Sequence, residues 1–291
     1  MAANKRSKRK RTGSKAWVIT RQVFGHIARI FVTLFLVGVI TGCVVVTAIT
    51  IYVMNFMETD NPINLDNVSL ADTTIFYAND ENGVQTEVYR MAADENHIEV
   101  TIDQIPQHVI DAFVCTEDKR FYDHDGVDWV RTVRVTISAL LEGGSQGGST
   151  ITQQLIKNTV LTTWTQEKTL GERIKRKVQE QYLAIQLEKD TNDKSKILEQ
   201  YMNTINLGQN TLGVKAASKR YFNKNVWELS LSECATIAGI TQNPSKYNPL
   251  THPDKNQDRR EKVLTNMLEQ GYITQAQYDE AESDTDSLYR R

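Results

Sequence analysis

From Ile30 to Val53 the chain carries no charged side chain and its polar interruptions are threonines. The run exceeds the roughly 20 residues that cross a bilayer as a helix. Residues 1–29 hold nine lysines and arginines and no acidic residue, whereas Glu58 and Asp60 follow the run. That asymmetry predicts a single-pass anchor with the N-terminus in the cytoplasm and the remainder outside.

A cleaved signal is the rival reading, because Ile40-Thr41-Gly42-Cys43 has the form of a lipoprotein cleavage box. Val44 to Val53 stay apolar past that point and the preceding region is long, so a retained anchor is expected. Beyond the tail, 25 basic residues face 36 acidic ones, a net charge of −11. An acidic outer part argues against nucleic acid as a partner, and the basic tail is explained by topology and attraction to anionic lipid. Cys43 falls in the span, while Cys115 and Cys234 fall on apolar helical faces, so all three are expected to be free thiols.

The chain therefore divides into a cytoplasmic tail (1–29), a transmembrane helix (30–53), a linker (54–72), one folded domain (73–281) and a short tail or further linker (282–291). Thr73 to Ala78 and Gln85 to Tyr89 read as strands around a turn at Asn79 to Gly83, a hairpin at the membrane-proximal edge. From Pro106 the periodicity becomes helical, with Val109, Ile110, Phe113 and Val114 on one face and an end near Glu117. A second helix, N-capped by Asp128, turns Trp129, Val133, Ile137, Leu140 and Leu141 inward and stops at Gly143-Gly144, leaving Gly143 to Gly148 as a mobile loop. Thr150 with Gln153, Thr169 with Glu172 and Ser230 with Glu233 have the spacing of capping boxes. Further helices are expected from Asp193 to Ile205 and from Asp254 to Gly271. The fold class is mostly α.

Three strings carry candidate chemistry. In E-D-K-R-F-Y-D-H-D-G-V-D, Glu117 to Asp128, aromatic residues interleave with charges, which a plain solvated face does not need. In G-G-S-T-I-T-Q-Q-L-I-K-N, Gly147 to Asn158, a glycine loop feeds a helix start whose free N–H groups favour anions. There Gln154 and Asn158 share one face, and Gln153 and Lys157 an adjoining one. The third string, Arg173 to Glu188, pairs Arg176 and Lys177 with Glu180 at helical spacing, which alone reads as a surface ion pair. Two carboxylates beside several cations suit glycosyl transfer from a diphosphate. One carboxylate deprotonates an attacking hydroxyl, and cations offset the charge on the departing group.

These strings resemble the motifs of the peptidoglycan glycosyltransferase family (glycosyltransferase family 51), found in class A penicillin-binding proteins and monofunctional transglycosylases. I-L-E-Q-Y-M-N-T-I-N-L-G, Ile197 to Gly208, resembles the fourth motif. Leu231 to Pro249, followed by Arg259-Arg260, resembles the fifth. The resemblance implies that Glu117 and Glu180 are the catalytic pair, with Glu117 the acid/base group. It also implies that Ser149, Thr150, Gln153, Gln154, Lys157, Asn158, Arg176, Lys177, Asn203 and Arg259 bind substrate. Asn206 before Leu207, and Gln209-Asn210 in place of a glycine-rich turn, depart from the family pattern.

The implied fold is a lysozyme-like lobe with a small membrane-facing jaw, in a bacterial cell membrane. The implied substrates are lipid II and the growing glycan strand, with the bilayer and cell-wall synthesis or division proteins as further partners. A divalent cation, Mg or Mn, is implied as a bridge on the substrate diphosphate; the sequence has no dedicated metal-ligand spacing and no sign of an organic cofactor. The expected reaction is an inverting single displacement giving a β-1,4 linkage and undecaprenyl diphosphate. A lysozyme-type hydrolase or lytic transglycosylase is the alternative by analogy of fold. The sequence leaves open whether the chain is monofunctional or the front part of a bifunctional penicillin-binding protein, because the S-x-x-K match at Ser7 to Lys10 lies in the basic tail.

Overall fold

The computed structural model describes residues 13–57, 74–79, 85–91, 96–142, 147–161 and 165–284. The chain divides into two units, Met1–Asn61 and Pro62–Arg291. In the first, a single helix α1 covers Gly13–Met57, and Gln22–Ala48 within it has the length and apolarity to cross a membrane. The helix extends into both the basic tail and residues 54–57 of the expected linker, since an α-helix satisfies its own backbone and needs no break at a bilayer surface. Its threonines are compatible with hydrocarbon for the same reason. Thr33, Thr47 and Thr50 each donate their hydroxyl to the carbonyl four residues back, at 2.8 to 2.9 Å.

The second unit opens with the expected hairpin, β1 (Thr74–Asn79) antiparallel to β2 (Gln85–Met91), with a register shift between Phe76 and Tyr77. The remainder of the expected linker, the hairpin turn, residues 143–146 of the glycine loop and the last seven residues lie outside the described part. A short strand β3 (Asn96–His97) later pairs in parallel with β4 (Thr211–Leu212). Such a long-range pair has no local sequence signature.

Helices supply the rest: α2 (Gln107–Glu117), α3 (Trp129–Glu142), α4 (Ile151–Thr159), α5 (Leu170–Thr191), α6 (Lys194–Thr204), α7 (Val214–Phe222), α8 (Leu231–Ile240), α9 (Pro253–Glu269) and α10 (Gln275–Ser283). All three expected capping boxes form, at Thr150, Thr169 and Ser230, and a fourth caps α10 at Thr274. At each, a side-chain oxygen takes up a backbone N–H that the first helical turn leaves free.

The core gathers around α8, whose residues Ser232 to Ile240 are all buried. A helix without a polar face can only sit inside, and α2, α7, α9 and α10 pack around it. A second layer places α4 against α5 and α6. Phe113 of α2 meets Tyr201 of α6 edge to face, with ring centres 6.3 Å apart, which joins the two layers. Cys115 and Cys234 are buried free thiols and Cys43 an exposed one, as expected.

Helix α3 faces the opposite way from the sequence expectation. Trp129, Val133, Ile137 and Leu141 form an apolar stripe, yet they are exposed by 58, 56, 51 and 79%. Leu140's side chain lies outside the described part. Periodicity reveals that a stripe exists, not what covers it. Here the polar side holds the helix to the domain: Arg131 donates to the Glu117 carbonyl, and to the Gly147 carbonyl at 2.9 Å.

The turn before α3 is fixed by Gly126, whose φ is +85° and where a Cβ would lie 2.5 Å from the Ala184 carbonyl oxygen on α5. The Gly126 carbonyl also accepts the Thr150 hydroxyl at 2.6 Å. Gly126→Ala adds both a forbidden backbone region and a backbone collision. It is expected to destabilise the protein by about 3 kcal/mol, read as a lowered midpoint of denaturant unfolding by tryptophan fluorescence. An unchanged midpoint would show that the α5 contact yields freely.

Candidate active site

Helix α2 ends at Glu117, and Asp118 caps it with its backbone turned out of the helical region. Asp118 is 1% exposed. Its Oδ2 accepts the Ile151 N–H, first of α4, at 3.0 Å, and lies 3.0 Å from His124 Nε2. A buried carboxylate on a helix N-terminus is favoured by the free N–H groups and dipole there. This contact fixes α4 against the end of α2.

The consequence appears one turn along α4. Gln154 Nε2 donates to Glu117 Oε2 at 2.8 Å, and Tyr201 Oη on α6 donates to Gln154 Oε1 at 3.3 Å. The opposite amide orientation would aim a carbonyl oxygen at the carboxylate, so the acceptor-only Glu117 selects this one and the tyrosine donates to the oxygen left over. Burial, reinforced by the charges of Glu117 and Asp118, pushes the Tyr201 hydroxyl well above its ordinary pKa and keeps it a donor. Thr241, just past α8, donates its hydroxyl to Glu117 Oε1. Both carboxyl oxygens thus have donors, one from α4 and one from the end of α8.

Glu180 on α5 is differently placed. It is 1% exposed, with Arg176 Nη1 at 2.6 Å from Oε2 and Lys177 Nζ on Oε1. Arg176 also binds Glu167 at 2.6 Å, and Lys177 binds the Ser149 hydroxyl at 2.7 Å. With a cation on each oxygen, Glu180 holds positive charge in place; it does not offer an open base. Lys157 lies in the field of both carboxylates. Its pKa is lowered chiefly by burial; Glu180 opposes that shift, Arg176 and Lys177 add to it, and Glu117 opposes it.

The structure brings together Glu117, Gln154, Lys157, Asn158, Arg176, Lys177, Glu180 and Ser149 along α4 and the middle of α5. Three other expected substrate contacts turn inward. Thr150 is fully buried on the Gly126 carbonyl, Gln153 is 1% exposed and accepts the Thr150 N–H at 2.9 Å, and Asn203 clamps both backbone groups of Val100 at 3.0 and 2.8 Å. Their motif positions build the cleft walls. Arg259 on α9 approaches from behind these segments, with its stem on Gly239, its charge felt at Cys115 and its guanidinium 6.0 Å from the Tyr247 ring centre.

Two cavities flank the Glu117 segment. One of about 460 Å³ is lined by Gln154, Lys157, Asn158, Asn206, Gln209, Thr241 and Ser245, so the two donors to Glu117 form part of its wall. The other, about 620 Å³, is ringed by Lys119, Arg120, Arg131 and Arg134. Sequence reasoning missed Tyr201, Thr241 and Arg131. Tyr201 and Thr241 lie inside the fourth and fifth motif strings, but Thr241 meets Glu117 from 124 residues away, a contact that no local spacing signals. Among the described residues no three His, Cys, Asp or Glu side chains converge to hold a metal ion.

The transglycosylase family model matches residues 83–268 of the chain. Over 183 residues the chain is 52% identical to penicillin-binding protein 1A of Aquifex aeolicus, covering 62% of this chain and 24% of that protein. Over 276 residues it is 44% identical to penicillin-binding protein 1A of Clostridium botulinum, covering 91% of this chain and 31% of that one. A crystal structure of penicillin-binding protein 1A from Haemophilus influenzae matches with a TM-score of 0.40 and 25% identity, over 74% of this chain and 21% of that one. The chain thus spans about a third or less of the length of these relatives.

Burial disfavours the charged ammonium, so Lys157 is expected to lose its proton at a lower pH than the exposed lysines. Between its folded and unfolded pKa values the unfolded chain binds more protons, so Lys157's contribution to stability rises with pH in that window. Carbon NMR of the ¹³C-methylated lysines, with Lys157→Arg identifying the resonance, checks the order. Titration together with the exposed lysines would refute it.

Proposed function

The chain belongs to the transglycosylase family, and from that premise we propose that it polymerises lipid II into β-1,4-linked peptidoglycan strands, releasing undecaprenyl diphosphate. The observation that carries this reading is the pairing of one addressable carboxyl, Glu117, with a held cluster of cations around a second, Glu180. Glu117 removes the proton from the 4-hydroxyl of the incoming lipid II as that oxygen attacks C1 of the strand's reducing-end sugar. The C1–O bond to the diphosphate breaks with its electron pair on the leaving group. Inversion converts the α-linked donor to a β linkage in one displacement, so a single proton-transferring carboxyl suffices.

Lys157, Arg176 and Lys177 are the groups to receive charge developing on the diphosphate, the latter two already oriented before reaction by Glu180 and Ser149. Glu180 acts through them. Ser149 before α4, Gln154 and Asn158 along it, and Arg259 on α9 complete the substrate contacts. A divalent ion such as Mg or Mn belongs on the substrate's diphosphate oxygens, because the residues present form no protein cage for it.

The protein's site of action is the bacterial cell membrane, with α1 as a single-pass anchor, the tail inside and the folded unit outside. The bilayer is a partner of the folded unit as well, through the exposed apolar stripe of α3, in which Trp129 suits the interfacial layer. Cell-wall synthesis and division proteins are its protein partners.

In detergent-solubilised full-length protein, Glu117→Gln is expected to slow polymerisation of labelled lipid II at least 100-fold. Glu180→Gln should cause a large but incomplete loss, since the cations remain but are no longer held. Undiminished synthesis by Glu117→Gln, or cleavage of finished glycan by the wild-type protein, would overturn the assignment.

A further inference from the structure

The hydroxyl of Thr241 has more acceptors than it has protons. It lies on Glu117 Oε1 and also 2.8 Å from the Ala238 carbonyl oxygen of its own helix. A hydroxyl donates one hydrogen and accepts through two lone pairs. When Glu117 is ionised, the hydrogen points at the carboxylate. Once Glu117 carries a proton on Oε1, the same contact persists only if Glu117 donates and Thr241 turns its hydrogen to Ala238. The neighbouring backbone allows that turn, because the Ala238 carbonyl has two lone pairs and its other donor, the Thr241 N–H, is 3.4 Å away.

We infer that Thr241 is a positioning residue for Glu117 whose hydroxyl reverses direction as Glu117 gains and loses its proton, keeping the carboxyl in one place through the reaction. The inference rests on the proposed reaction for its kinetic consequence. Its structural basis is separate: Glu117 ends α2 and Thr241 follows α8, so the carboxylate lies beside two helix C-termini, whose partial negative charge repels it. Gln154 is a donor only at its nitrogen and can serve one protonation state well. Thr241 can serve both. Its position is firm because α8 is buried from Ser232 to Ile240, and its side chain forms part of the 460 Å³ cavity wall beside Gln154.

A plain helix-end threonine bonding back to its own carbonyl is the competing account. The test compares Thr241→Val, which keeps the shape and removes the hydroxyl, with Thr241→Ser, which keeps the hydroxyl, in full-length protein acting on lipid II. The valine variant should lose about tenfold in kcat with KM within twofold of wild type. The serine variant should stay within threefold of wild type. Wild-type kcat in the valine variant, a loss carried by KM alone, or equal losses in both variants overturns the inference.

A second measurement needs no activity. In a double-mutant cycle of thermal midpoints, the effect of Thr241→Val should shrink markedly in a Glu117→Ala background. Additive shifts overturn the inference even if the wild-type protein fails to polymerise lipid II, an outcome that would instead reject the proposed reaction.

Discussion

The contact between Asp118 and the first N–H of α4 decides where everything else in the cleft lies. A helix N-terminus buried without a partner would leave several donors unsatisfied, each at a cost of about 1 to 3 kcal/mol. Asp118 meets that need from the residue next to Glu117. The phase of α4 relative to α2 follows, and with it the arrival of Gln154 at Glu117 and of Lys157 in the field of both carboxylates. Thr150 on the Gly126 carbonyl and Gln153 on the Thr150 N–H tighten the same joint.

The two carboxylates then differ because their partners differ. Glu117 meets neutral donors, an amide and a hydroxyl that line a cavity, and stays half-buried. Glu180 meets an arginine and a lysine and is almost sealed. A buried charge is tolerated only when paired. Glu180, with Glu167 on the far side of Arg176, fixes the directions of Arg176 and Lys177 on a 22-residue helix. Under the proposed reaction this is the arrangement a departing diphosphate needs, since fixed charge requires no reorganisation as the bond breaks.

What could be read from the sequence was local. The capping boxes, the end of α2 at Glu117, and the Arg176 and Lys177 pairs with Glu180 are spacing rules over three or four residues, and each is found in the structure. The motif strings located the cleft but did not separate its walls from its surface. Thr150, Gln153 and Asn203 are polar, yet each satisfies buried backbone, which no spacing distinguishes from substrate contact. Tyr201 and Thr241 reach the site across 47 and 124 residues, and the parallel pair β3 and β4 joins segments just as remote. Such meetings depend on how helices pack.

The inverted orientation of α3 carries the same lesson toward function. An amphipathic helix normally buries its apolar stripe, because exposing it forfeits about 25 cal/mol for each Å² left in water. In α3 the opposite side is held, by Arg131 on two carbonyls and by the Asp128 cap, while Trp129, Val133, Ile137 and Leu141 face outward. That cost disappears only if something apolar covers the stripe. Arg131 bonds the carbonyl of Glu117 itself, so the surface that bears the stripe is attached directly to the residue proposed to move the proton. A bilayer against α3 would therefore steady the end of α2 and, under the proposed reaction, gather the lipid-anchored substrates, making the membrane part of the site's support.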